Sequence, residues 1–192
     1  MRFYLLQSKI KNKSILKKLL LCATIAVFVL SSANAQEVNF GVKAGADFAS
    51  SKVKRPLFDV SFTGTGFYIG GFANIGLSDA LSFQPEVLYV SVSTGGNTGL
   101  DFDEIHIPLM GKFAVSEKFA VLAGPALGIL LDAGEGTKSF NYGIEAGAAF
   151  NITYNFFVEA RYNIGLANLS DNVPGINSSK ISGFFTGVGY RF

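Results

Sequence analysis

The sequence is poor in the residues from which metal centres and nucleophilic sites are usually built. It holds one cysteine, Cys22, and one histidine, His106. A lone cysteine excludes an intrachain disulfide framework and a thiolate zinc site. A single imidazole with no thiolate beside it argues against any transition-metal centre. Apolar runs long enough for a transmembrane helix, about 20 residues, are also missing. The longest, Leu19 to Leu30, is about a dozen residues.

That run belongs to a segment that reads as a targeting signal. Arg2, Lys9, Lys11, Lys13, Lys17 and Lys18 precede it, and Ser31-Ser-Ala-Asn-Ala35 follows with an Ala-x-Ala cleavage pattern. The expectation is a cleaved secretory signal peptide over residues 1–35, exported through the Sec pathway, with an uncleaved anchor as the alternative. Cys22 lies early in the apolar run, which argues against lipoprotein attachment, and it leaves with the signal. Six of the sixteen Lys+Arg residues and none of the fourteen acids leave too, so the remaining chain carries ten cations against fourteen acids, a net −4. The sequence pI of about 8.6 therefore belongs to the targeting segment. Nucleic acid is not an expected partner.

From Gln36 onward the dominant hydrophobic period is two. In the first strand Val38, Phe40, Val42, Ala44, Ala46 and Phe48 alternate with Asn39, Gly41, Lys43, Gly45 and Asp47. The same alternation recurs over roughly 66–76, 81–92, 102–115, 119–131, 140–150, 156–166 and 182–192, although the facing of 119–131 is ambiguous. Pro85 predicts a bulge or weakened pairing in the third strand. Connections at 49–65, 93–101, 132–139 and 167–180 are long or medium, and those between them are short turns. This rhythm puts both termini and the short turns at one end. No internal repeat of 20–50 residues accompanies it.

Alternation also suits a soluble barrel with its apolar face inside. Three features favour the inverse. The polar face is glycine-rich with isolated charges of both signs, unlike a water-facing surface. The apolar face carries aromatics near strand ends: Phe48, Tyr89, Phe113, Phe119, Phe140, Phe150, Phe156, Tyr162, Tyr190 and Phe192. Strands near ten residues match a tilted crossing of the hydrocarbon layer, and a closed barrel is the sheet that satisfies every backbone group in lipid. The fold expected over residues 36–192 is thus an all-β, eight-stranded antiparallel up-and-down transmembrane β-barrel.

Several stretches carry a family resemblance: Asn39-Phe-Gly-Val-Lys-Ala-Gly45, Ile105-His-Ile-Pro-Leu109, Ala123-Gly-Pro125, Glu159-Ala-Arg-Tyr-Asn-Ile-Gly-Leu166 and Val188-Gly-Tyr-Arg-Phe192. Over residues 36–192 the chain resembles the small outer-membrane β-barrel ("porin family", PorT-like) proteins of Bacteroidetes-type bacteria. The resemblance implies a location in the cell outer membrane, but brings no shared catalytic or ligand motif. The closing stretch Ser182 to Phe192 is expected to pair with Val38 to Phe48. It also resembles the C-terminal signal read by barrel-assembly machinery, with Tyr190 and Phe192 as its aromatic positions.

Inward positions collect Lys43, Asp47, Glu86, Glu104, His106, Lys112, Glu145, Glu159, Arg161 and Arg191. An eight-stranded barrel has room inside only for side chains, so these are expected to form a polar network that plugs the lumen. An ion path or a catalytic carboxylate pair is the alternative. Acyltransferase or protease chemistry would need His106 beside a nucleophilic Ser91, Ser93 or Ser139. Asp101, Asp103 and Glu104 cluster without calcium-loop spacing. Lys52, Lys54 and Arg55 could meet anionic lipopolysaccharide. No cofactor and no enzymatic activity are expected. The role expected is a surface or scaffold protein acting through its outer loops; the alternatives are an accessory barrel of a secretion or envelope-assembly system and a small-solute pore.

Overall fold

A computed structural model describes residues 38–56, 58–93, 101–131, 133–134, 136–171, 175 and 177–192. The expected signal peptide and most of the connection at 93–101 lie outside the described residues. Eight strands follow in order: β1 (Val38–Lys54), β2 (Asp59–Gly76), β3 (Leu81–Ser93), β4 (Phe102–Ala114), β5 (Phe119–Leu130), β6 (Phe140–Asn151), β7 (Phe156–Gly165) and β8 (Ser178–Arg191). Each pairs antiparallel with its neighbours in sequence, and β8 returns to β1 to close the barrel.

Period two does the sorting. Odd positions of β1, even positions of β2 to β5 and odd positions of β6 to β8 point inward. β5, ambiguous in sequence, follows the same rule: Ala120, Leu122, Ala126 and Leu130 are buried, while Val121 is exposed. The outer surface is apolar, with Val42, Ile69, Val87, Val121, Ile144, Ile164 and Val188 all exposed. Aromatics bracket this band. Toward the long connections stand Phe48 beside Phe184, Phe67 beside Tyr89, and Phe140 beside Tyr142. Toward the short turns, Phe156 packs edge-on against Tyr190, which contacts Phe192 in turn. Phe40 and Phe48 mark the two levels on β1, about 27 Å apart along the strand and about 20 Å along a barrel axis at the usual tilt.

One expectation needs correction, and a second is extended. The stretch 49–65 is not a loop: β1 and β2 stay paired from Ala49↔Gly64 to Lys54↔Asp59, leaving only a tight tip. β8 accompanies them: the closing stretch pairs with β1 as expected from Gly41↔Arg191 to Phe48↔Phe184, and the ladder then continues to Lys54↔Ser178. The miss has a simple cause. Lys52, Lys54, Ser50 and Ser51 blur the alternation above the apolar band, although backbone pairing continues. At 17 and 18 residues, β1 and β2 exceed the 9–11 needed to cross a bilayer.

Pro85 weakens pairing without forming a bulge. The β3–β4 ladder breaks between Pro85↔Leu109 and Leu88↔His106, then resumes in the same register. The β4–β5 ladder breaks likewise between Pro108↔Ala126 and Gly111↔Ala123, opposite Pro125. A ring nitrogen donates no hydrogen bond, but each break is short and the flanking pairs hold the register.

Candidate functional site

The inside of the barrel is layered. At mid-height Arg161 on β7, 1% exposed, reaches three carboxylates: Glu145 Oε1 at 2.8 Å, Glu86 Oε2 at 3.0 Å and Glu159 Oε1 at 3.2 Å. Lys43 Nζ meets two of the same groups, Glu86 Oε2 at 2.8 Å and Glu159 Oε1 at 2.9 Å. Neutral donors satisfy remaining lone pairs: Gln84 Nε2 donates to Glu86 Oε1 (2.7 Å) and Tyr68 Oη to Glu159 Oε1 (3.3 Å). Buried charges are tolerable only when paired and hydrogen-bonded in this manner.

His106 forms a second cluster. Its Nδ1 lies 2.9 Å from Glu104 Oε1 and its Nε2 lies 2.8 Å from Glu145 Oε2. Glu145 thus joins the two clusters. Asn141 Nδ2 donates to Glu104 Oε2 (3.4 Å), and the imidazole stacks on Phe185 at 5.3 Å and 16°.

Apolar layers close the lumen on either side of these charges. Toward the short turns, Phe72 and Phe157 meet edge-on at 5.6 Å, with Met110 and Leu122 around them. Lys112 and Arg191 lie over the Phe157 ring, and Arg191 Nη2 also donates to Asn151 Oδ1 at 2.7 Å. Toward the long connections, Tyr68 and Phe185 pack at 5.6 Å with Leu88, Val90 and Val92. Beyond them, Ala167 and Leu169 fold over Leu130, and a bridge joins Thr137 to Ser170. The connection 167–180 therefore contributes a small apolar cap. Its polar composition hid this.

Of the ten inward residues expected from sequence, nine are buried, and Arg191 is half-buried at the short-turn rim. The sequence reading missed the aromatic members Tyr68, Phe72, Phe157 and Phe185 and the amides Gln84, Asn141 and Asn163, all at inward register positions. Glycines opposite the rings were the available signal. A Cβ on Gly189 would run into the Phe157 ring, and one on Gly41 into Phe72.

Other candidates are dispersed. Ser91 and Ser93 point outward from β3, and Ser139 is exposed in a connection, while both His106 nitrogens face carboxylates. Asp101 is exposed and Asp103 faces outward, whereas Glu104 turns inward to His106. Among the described residues no group of three or more His, Cys, Asp or Glu could hold a metal ion. Lys52, Lys54 and Arg55 lie at the top of the β1–β2 hairpin, with Arg55 over the Phe58 ring at 5.7 Å. Lys52 sits directly across from Lys180 on β8.

A small cavity lies between the His106 cluster and the long-connection end. It measures about 20 Å³, room for about one water molecule. Asp47, Glu104, His106, Asn141, Gly183 and Phe185 are among its walls.

The geometry agrees with known proteins. Neisserial surface protein A aligns with a TM-score of 0.52 at 19% identity, covering 81% of this chain and 99% of that one. Ail, the attachment invasion locus protein of Yersinia pestis, aligns at 0.50 and 18% identity, covering 79% and 98%. These similarities speak to fold alone. No curated protein sequence matches the chain. A family profile described as "Outer membrane protein beta-barrel domain" matches residues 19–192. With that profile spanning most of the chain, and a closed eight-stranded barrel that is apolar outside and charged within, this protein belongs to the outer membrane protein beta-barrel domain family.

Proposed function

We propose that this barrel is a non-enzymatic surface protein of the outer membrane that acts through the end carrying its long connections. The observation that supports the reading is the filled lumen. Arg161, Tyr68, Phe157, Leu88 and Met110 are fully buried across the bore, and the cavity beside His106 is water-sized. A solute path would need a continuous opening, so conduction is disfavoured and the exposed end is left to act. There the β1–β2 hairpin, flanked by β8, rises beyond the first β2–β3 pair, Thr65↔Ser93.

The ligand chemistry this end favours is anionic. Lys52, Lys54 and Lys180 share the outer face just above the aromatic level of Phe48 and Phe184, where lipopolysaccharide phosphates would lie. Two lysines directly opposite repel each other unless an anion lies between them. Residues 1–35 are proposed to be removed on export, and insertion is proposed to run through barrel-assembly machinery reading Tyr190 and Phe192. The narrower PorT-like grouping, with a role beside secretion or envelope-assembly proteins, is the second reading.

Planar-bilayer recording tests the first part: conductance near the bare-membrane level is expected, and stable single-channel steps would overturn it. Charge removal at Lys52, Lys54 and Lys180 tests the second. Lipopolysaccharide binding should fall at least several-fold; unchanged binding would reject the assignment.

A further inference from the structure

One buried carboxylate of the lumen has no cation paired with it among the described residues. Lys43, Lys112 and Arg161 are buried beside five carboxylates: Asp47, Glu86, Glu104, Glu145 and Glu159. His106 faces a carboxylate through each ring nitrogen, an arrangement that calls for two N–H donors and hence an imidazolium. Even with that fourth cation, the fully buried carboxylates outnumber the fully buried cations by one, and Arg191, the remaining inward cation, stays half-buried over Phe157 at the short-turn rim.

The geometry identifies which one. Glu86, Glu104, Glu145 and Glu159 each take part in an ion pair, whereas Asp47 takes part in none among the described residues. Asp47 is 2% exposed, and its Oδ1 has no hydrogen-bond partner there. Asn141, 6% exposed, likewise has an unpartnered Oδ1. Both residues line the same water-sized cavity, which Glu104 also borders. Lys112 and Arg191, which pair with no carboxylate among the described residues, lie over Phe157 in the layer on the short-turn side and do not line this cavity.

We propose that this cavity is a binding site for one small monovalent cation, sodium or potassium, held by the oxygens of Asp47 and Asn141. Asp47 is a single carboxylate without an ion pair among the described residues, so a single positive charge neutralises it. Oxygen ligands suit a hard cation, and one unpaired carboxylate supplies one negative charge for it. Gly183 makes the room: a Cβ there would stand 2.8 Å from Asp47 Oδ1.

The test follows urea unfolding of the detergent-extracted protein in sodium, potassium or choline chloride at one ionic strength. Above the site's Kd the folding equilibrium constant should rise about tenfold per decade of sodium or potassium, with no such rise in choline, which is too large to enter. Asp47→Asn should abolish the dependence. Gly183→Ala, which keeps every charge but fills the space beside Oδ1, should abolish it too. Identical curves for the unmodified protein in all three salts would overturn the proposal and assign the proton, not a metal cation, to Asp47. A cation dependence that survives in both variants would place the ion elsewhere and overturn it equally. The salt comparison needs no variant, so a substitution that fails to assemble leaves the test intact.

Discussion

Lys43 Nζ and Glu159 Oε1 lie 2.9 Å apart at the centre of the barrel, although 116 residues separate them in sequence. They sit on β1 and β7, either side of β8, so the ion pair spans the seam that closes the sheet. Closure of the backbone and pairing of the central charges are therefore coupled. The wall confines Lys43, and the charges in turn link strands from the two ends of the chain.

Arg161 is the hub of this arrangement, and its loss should be costly. Arg161→Leu leaves Glu86, Glu145 and Glu159 to share Lys43 and His106. The expected destabilisation is about 3–5 kcal/mol, the usual cost of leaving a buried charge unpaired. Arg161→Lys should recover only part, because an ammonium lacks the planar fork that reaches several carboxylates at once. Equilibrium unfolding in urea from lipid vesicles measures both.

The outer face discriminates lipid from water. Ile144 is 53% exposed, so in water Ile144→Arg would be nearly neutral. In a bilayer it should cost about 2–4 kcal/mol near the midplane. Lys52→Ala, above the apolar band, should stay within about 0.5 kcal/mol in the same assay. A neutral Ile144→Arg would contradict the membrane placement.

Glycine inside this barrel is a packing choice. Gly189→Ala should cost about 1–3 kcal/mol through overpacking against the Phe157 ring. Phe157→Leu, introduced in the Gly189→Ala background, should recover part of that loss. A double-mutant cycle with no coupling would show that the two positions do not share the space.

Phe192 presents a different balance. Its backbone N–H donates to Phe40 O at 2.9 Å, but its ring is largely exposed and contacts Tyr190. Phe192→Ala should lower the yield of inserted barrel in cells by several-fold while moving the unfolding midpoint of the assembled fraction little. Equal losses in both measurements would mean that the ring is simply a packing element.

The protein should also migrate as a heat-modifiable band on gels and resist extraction by high salt. Release without detergent would place it outside the bilayer.

The in-out alternation of every strand, and hence nine buried ionisable residues, could be read from residue order, because a pleated strand turns successive side chains to opposite faces whatever surrounds them. Asp47, Glu86, His106 and Arg161 were legible as inward for this reason. The hairpin above the membrane was not. Once β1 and β2 leave the apolar band, backbone pairing persists while the side-chain pattern that advertises it stops.

Sequence alone therefore determined the strand count, the closed topology and the sign of the outer face, all consequences of a local period and of the need to satisfy backbone groups. Only the tertiary structure decided which charges meet. Partners such as Lys43 and Glu159 depend on the register of eight strands and the slant it imposes across the lumen. No local pattern encodes that slant, and it leaves Asp47, alone among the buried carboxylates, facing a cavity rather than a cation.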